Sequence, residues 1–194
     1  MSRLANIVAS FFLQAPMDDG SVLDVGVGAG TFGLTLSAVR RVNKPYLVGL
    51  DVYAPYLKMV PMNIYDDVVQ GDASKLPFRD KAFSSVVSIA VLEHLEKKAA
   101  ESMLDEMERV AKSLVAIMTS WGSIPKHGDE NPWQEHRSAW HVSDFKHRGY
   151  KVRFLPDFSK PIWTLVPFVL TYIFGLNAKL LLAFKYLKKP DPLG

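Results

Sequence analysis

From residue 21 onward, short β-branched apolar runs alternate with stretches whose apolar residues recur every three to four positions. That alternation predicts strands joined by helices, and so a parallel sheet with helices on both faces. The runs that read as strands are 21–26, 46–51, 67–72, 83–90 and 113–120, with a last strand near 179–186. The plainest helix is 96–112, where Ala100, Met103, Met107, Val110 and Ala111 fall on one side and charged residues on the other. Pro55 suits the first turn of a short helix behind the second strand, and Pro61 stops it. Farther on, Ser143 reads as the N-cap of a helix that Gly149 ends.

Two apolar stretches flank this core. Leu4, Ile7, Val8, Phe11 and Phe12 share one helix face, so 1–20 is expected to lie on the domain as a helix and not to act as a signal peptide. Residues 161–178 carry no charged side chain, but Pro167 and Gly175 interrupt them and Lys179 follows at once. A membrane-spanning helix takes about 20 apolar residues. This stretch is therefore expected to pack on the domain, with a hydrophobic lid or a peripheral membrane contact as the other readings.

With 194 residues the chain is the size of one domain. The reading is a single unit over 1–194, with 21–120 as its core and 121–194 supplying the other side of the site. A net charge of +3 falls short of a nucleic-acid-binding stripe, so that partner is admitted but not called for. The lack of cysteine excludes disulfides, thiolate metal sites and cysteine nucleophiles. A cytoplasmic location is expected.

Chemistry enters at Asp24-Val25-Gly26-Val27-Gly28-Ala29-Gly30, where the first strand should turn into a helix. Glycines there let the backbone turn tightly and approach a ligand. Residues 28–33 also fit the dinucleotide pattern G-x-G-x-x-G, so a nicotinamide cofactor is a rival. Asp51, ending the second strand, suits the two hydroxyls of a ribose in either cofactor. Asp72 sits at the same sheet edge, where a carboxylate can meet the exocyclic amine of adenine. Asp24 separates the two cofactors, because a negative charge ahead of the loop repels a pyrophosphate and attracts the ammonium of a methionine moiety. That favours S-adenosylmethionine.

The series VLDVGVGAG, LVGLDVY, VVQGDASKLPF and FSSVVSIAVLEHLEK resembles the ordered motifs of the small, single-domain class I S-adenosylmethionine-dependent methyltransferases, over roughly 22–97. The resemblance implies a Rossmann-like, doubly wound, mostly parallel seven-stranded sheet. It also implies an enzyme that leaves S-adenosylhomocysteine as product. In that family the methionine part is held at positions matching Asp24, Gly26, Gly28 and Gly30, the ribose at Asp51 with Val52, and the adenine at Asp72 with Ala73. One departure is Ser84 after Phe83, where the family often has Asp.

Methyl transfer from a sulfonium can run largely on positioning, with a general base only where the acceptor must lose a proton. After the fourth strand, small Ala90 would let the cofactor approach, and Glu93 and His94 are candidate catalytic groups. The segment 131–145 holds two Trp and two His on what reads as a loop. Trp133, His136 and Trp140 are its candidate acceptor contacts, His136 also as a catalytic group. A metal site from His127, His136 and His141 matches no metal spacing, and no metal is expected. The aromatic tail, with Trp163, Phe168, Tyr172 and Phe174, suggests a small or hydrophobic acceptor. Two alternatives stay open. One is an RNA or protein acceptor met by Lys146, His147, Arg148, Lys151 and Arg153. The other is a regulatory S-adenosylmethionine-binding protein without chemistry.

Overall fold

A computed structural model describes residues 20–39, 45–122, 131–155 and 180–187. The expected N-terminal helix and the apolar stretch 161–178 lie outside these. The strands are β1 (Ser21–Val25), β2 (Tyr46–Asp51), β3 (Asp67–Gln70), β4 (Phe83–Ile89), β5 (Ala111–Ser120), β6 (Lys151–Leu155) and β7 (Leu180–Tyr186). They form one sheet in the order β3-β2-β1-β4-β5-β7-β6. Pairing is parallel from β3 through β5, and β7 runs antiparallel to both of its neighbours. This is the mostly parallel, doubly wound sheet expected. The strand order reverses between β1 and β4, the place where open α/β sheets leave a crevice at the strands' carboxyl ends.

Period-two alternation along the strands divides the core in two. Leu23, Val25, Val115 and Ile117 face a cluster closed by α3 (Lys97–Val110) and α4 (Val142–His147). Val22, Leu114, Ala116 and Met118 face the other cluster, under α1 (Thr31–Val39). On α3 the buried face is Ala100, Met103, Leu104, Met107 and Val110. Burying each of the larger of these is worth about 1.5–3 kcal/mol, which outweighs the small intrinsic cost of ending the helix abruptly. Ala111 is already extended, with ψ 140, so β5 begins two residues before the expected 113 and takes in Lys112. Behind β2, Pro55 lies in the first turn of α2 (Ala54–Leu57), as read.

One expectation on this side is corrected. The N-cap of α4 is His141, not Ser143, and the Asp144 carboxylate accepts from the His141 N–H at 2.7 Å. The helix still ends at Gly149, where φ is +82. Lys151 and Arg153, read as part of a basic stretch, belong to β6, where exposed and half-buried residues alternate. Within that stretch Arg148 is already paired with Asp105 and with Glu108.

Candidate active site

The turn out of β1 is built by glycine. Gly26 has φ +77, and a Cβ there would stand 2.1 Å from Cγ2 of Val91. Gly28 has φ +53, and a Cβ there would meet nothing within 4 Å, so its backbone faces open space. Gly30 has φ +81, the left-handed conformation of a glycine turn. A Cβ on it would press on Pro61 and Tyr65, so this glycine serves packing and does not line the cavity.

Asp51, nine-tenths buried at the end of β2, fixes the loop. One carboxylate oxygen accepts from the Gly28 N–H and the other from the Tyr53 N–H, both at 2.9 Å. Asp72 lies two residues past β3, and its Oδ1 accepts from the N–H and the hydroxyl of Ser74 at 2.8 Å. Asp24, Gly26, Gly28, Asp51, Val52, Asp72, Ala73 and Ala90 all line one cavity of about 500 Å³. Ala90 turns the chain from β4 into this cavity with φ +54, a left-handed conformation that Ala adopts at some strain.

Asp24 is buried, and its carboxylate accepts a 2.6 Å hydrogen bond from the Tyr65 hydroxyl, which in turn accepts from the Gly33 N–H. Nothing in the sequence near Asp24 announces Tyr65, 41 positions away. Burial pushes the Asp24 carboxyl up to about 7, against the Tyr65 hydrogen bond and with some help from the charge of Asp51. Burial, with the Asp24 charge beside it, drives the Tyr65 hydroxyl far above its ordinary range. The folded protein thus holds the Asp24 proton more tightly than the unfolded chain, so this group removes stability as pH rises from about 4 to about 7. Asp24→Asn keeps an acceptor for Tyr65 and abolishes that loss. Thermal melts at pH 5 and pH 8 should show the variant gaining on the wild type at the higher pH, by about 2–4 °C for each kcal/mol recovered. A melting difference that does not change with pH would count against the buried ionisation.

The same cavity is lined by His94, Leu95, Asn131, Trp133, Gln134 and Arg137. His94 ends a 3₁₀ turn, Leu92–His94, and its Nδ1 lies 3.1 Å from the Glu135 carbonyl oxygen. A carbonyl only accepts, so Nδ1 carries the hydrogen and Nε2 is the basic nitrogen. Glu93 is buried away from the cavity wall. Its carboxylate accepts from the Thr119 hydroxyl at 2.8 Å and from the Ser120 N–H at 3.3 Å, and its carbonyl accepts from the N–H groups of Arg137 and Ser138.

The three aromatic candidates of the loop separate. Trp133 lines the cavity, with its amide held by the Asn131 side chain. His136 packs edge-on against the His94 ring at 4.8 Å, behind the wall, and its Nδ1 is buried without a hydrogen-bond partner among the described residues. One ligating atom from each of Glu93, His94 and His136 lies within 4.8 Å of the others, a grouping of the kind that can hold a metal ion, although the sequence called for no metal. Of the histidines once grouped with it, His141 caps α4 and His127 lies outside the described residues. Trp140 is corrected from acceptor contact to core: it is 1% exposed, its indole N–H donates to Ser138, and Lys97 Nζ lies 3.6 Å from the ring centroid. It anchors the loop that carries Trp133. Arg137, which sequence reasoning passed over, faces the cavity; its proximity to two Trp in sequence was the available signal.

The family described as the methyltransferase domain matches residues 23–117. A demethylmenaquinone methyltransferase of Roseiflexus is 32% identical over 118 residues, 59% of this chain and 48% of that one. A tRNA (carboxymethyluridine(34)-5-O)-methyltransferase of Arabidopsis thaliana is 29% identical over 58% of this chain and 26% of its own. The chain thus spans about half the length of the first of these relatives and about a quarter of the second. In structure, a SAM-dependent methyltransferase from Archaeoglobus fulgidus superposes with a TM-score of 0.64 at 17% identity, covering 94% of this chain and 93% of that one. The family match runs from the first strand into the fifth and takes in the glycine loop, Asp51 and Asp72, and over these residues the chain is similar to the methyltransferase domain.

Proposed function

We propose that this protein transfers a methyl group from S-adenosylmethionine to a small, largely apolar acceptor. The observation that carries the reading is that one cavity is lined both by Asp24, Gly28, Asp51 and Asp72 and by His94, Leu95, Trp133 and Arg137. The first group fits the cofactor: the open face of Gly28 accepts a close ligand, buried Asp24 seeks a cation, and Asp51 suits a ribose. S-adenosylmethionine bound there supplies a methyl group already activated on a sulfonium.

The chain's own part is positioning and proton removal. Asp24 would hold the ammonium of the methionine moiety, Asp51 with Val52 the ribose, and Asp72 with Ala73 the adenine. Val91, Leu95 and Trp133 would hold the acceptor against the cofactor and exclude water. Nε2 of His94 then takes the proton that the acceptor oxygen or nitrogen loses as the methyl arrives. His136, braced on the His94 ring, is a positioning residue.

An apolar acceptor accords with the relative that acts, by its name, on demethylmenaquinone. A nucleic-acid acceptor draws less support, because Arg148 in the basic stretch is spent on Asp105 and Glu108. The test is calorimetric titration with S-adenosylmethionine and, separately, with NAD. We expect one site for the first and no heat from the second. The loaded protein, incubated with a pool of small aromatic acceptors, should then release S-adenosylhomocysteine. Preference for NAD, or binding of neither, would reject the proposal.

A further inference from the structure

The third glycine of the 28–33 pattern has a use that owes nothing to a dinucleotide. Gly33 is buried in the first turn of α1, and a Cβ there would stand 2.4 Å from Cε2 of the Tyr65 ring and 2.6 Å from its Cζ. The glycine makes room for Tyr65, a fully buried side chain to which the proposed reaction gives no part. Tyr65 is fixed from its own side as well. Its N–H donates to the Pro61 carbonyl, and the next residue, Asp66, shares two hydrogen bonds with Leu47 of β2.

The partners of the Tyr65 hydroxyl set the direction of its hydrogen bonds. The Gly33 N–H is one of the first-turn amides that a helix leaves without an internal acceptor; it can only donate, and it reaches the hydroxyl oxygen at 2.9 Å. The hydroxyl's own hydrogen therefore goes to Asp24 Oδ2, 2.6 Å away. Protonating Oδ2 would turn that hydrogen into the core with no other acceptor among the described residues, which is costly for a buried donor. A proton on Asp24 is thereby confined to Oδ1. That oxygen accepts no hydrogen bond from the described residues, and Asp24 lines the cavity.

Resting on the methyltransferase reading, we propose that Tyr65 is a positioning residue for the cofactor: by committing Oδ2 of Asp24 it leaves Oδ1 as the one place where a proton and the ammonium of the methionine moiety compete. The ammonium, and not the carboxylate beside it, is the part that Asp24 can take. Uptake of the cofactor then displaces the Oδ1 proton to solvent, and the carboxylate so formed pairs with the ammonium.

Burial pushes the Asp24 carboxyl up to about 7, and the Tyr65 hydrogen bond opposes that rise. Of the other ionisable groups, Asp51 acts on Asp24 through its charge, and Tyr56, Asp72, His94, Glu96 and Arg137 line the same cavity. The strand neighbours in register with Asp24, Gly49 and Val87, carry no charge. Histidine is the one residue type in this set that ordinarily titrates between pH 5 and 8, so the test includes a variant that tells Asp24 from His94.

The test uses the full chain and two ligands: S-adenosylhomocysteine, and 5′-methylthioadenosine, which shares the thioadenosine part and carries no amino acid. Calorimetry from pH 5.5 to 8.5 gives the affinities, and repeating it in buffers of different ionisation enthalpy gives the protons released. We expect S-adenosylhomocysteine to bind about tenfold more weakly at pH 6 than at pH 8, and to release about one proton per molecule bound at pH 6. Methylthioadenosine should do neither, and Asp24→Asn should flatten the profile. Tyr65→Phe keeps the ring and removes the hydroxyl, so the carboxyl holds its proton more tightly. The midpoint of its profile should move up by about one pH unit or more, with affinity recovering at higher pH. Gly33→Ala, whose Cβ presses the ring away from Asp24, should move the midpoint in the same direction. A tyrosine that served packing alone would leave the midpoint in place and weaken binding alike at every pH. An unmoved midpoint in Tyr65→Phe, no proton released by the wild type at pH 6, a profile that survives Asp24→Asn, or an equal pH dependence for methylthioadenosine would overturn the assignment. Failure of the wild type to bind either ligand at any pH would instead strike the underlying reading of the cavity.

Discussion

Replacing Asp51 by alanine should weaken S-adenosylmethionine binding by about 30-fold to 1,000-fold. Hydrogen bonds to a charged group are each worth about 1.5–3 kcal/mol, and a ribose offers this carboxylate two. With one of the two lost outright and the other partly replaced by water, about 2–4 kcal/mol is the expected cost, at tenfold per 1.4 kcal/mol. Part of the loss is indirect. The same carboxylate holds the N–H groups of Gly28 and Tyr53, so alanine also frees the loop that faces the ligand. Asp51→Asn separates the two contributions, because its amide oxygen keeps one acceptor while the charge is gone. It should fall between wild type and alanine, near a tenfold loss. Calorimetric titration of the three proteins measures this directly. An alanine variant that binds within threefold of wild type would mean that the cofactor does not lie against β2.

How much of this site was legible depended on where the information resides. Asp51 and the glycines were readable because strand ends and tight turns are local events. A β-branched run closes on an acid or a glycine, and the sheet's topology carries it to the crevice. Tyr65 was not readable, since only the folded sheet brings it to Asp24. Gly30 shows the limit of a local motif: its place in the glycine series was evident, but its neighbours Pro61 and Tyr65 are supplied by a distant loop. The acceptor loop was harder still. It has no repeating period to say which side chains face inward, so Trp133 and Trp140 were indistinguishable until the fold sent one to the cavity and the other to the core. Strand β6 was hidden for a related reason. An edge strand with one wet face carries Lys and Arg in alternation, and Lys151 and Arg153 read as a charged patch before they read as a strand.

Replacing His94 by asparagine should lower kcat by about 10²-fold to 10³-fold, the usual range for a lost general base, while the affinity for S-adenosylmethionine changes far less. Asparagine is chosen because its amide N–H₂ lies close to where Nδ1 sits and can still donate to the Glu135 carbonyl. The contact between the turn after β4 and the acceptor loop is thereby preserved. What disappears is the basic nitrogen on the far side of the ring. A variant that lost activity only because the loop came loose would also lose its grip on Trp133, and so would raise KM for the acceptor. Loss of the base alone lowers kcat and leaves KM close to its original value. His136→Ala supplies the contrast. It leaves Nε2 in place but removes the ring that braces His94, so a smaller fall in kcat is expected, on the order of tenfold. Equal kcat in wild type and His94→Asn would mean that the acceptor reaches the cavity already deprotonated. The chain's contribution to catalysis would then rest on orientation by Val91, Leu95 and Trp133 alone.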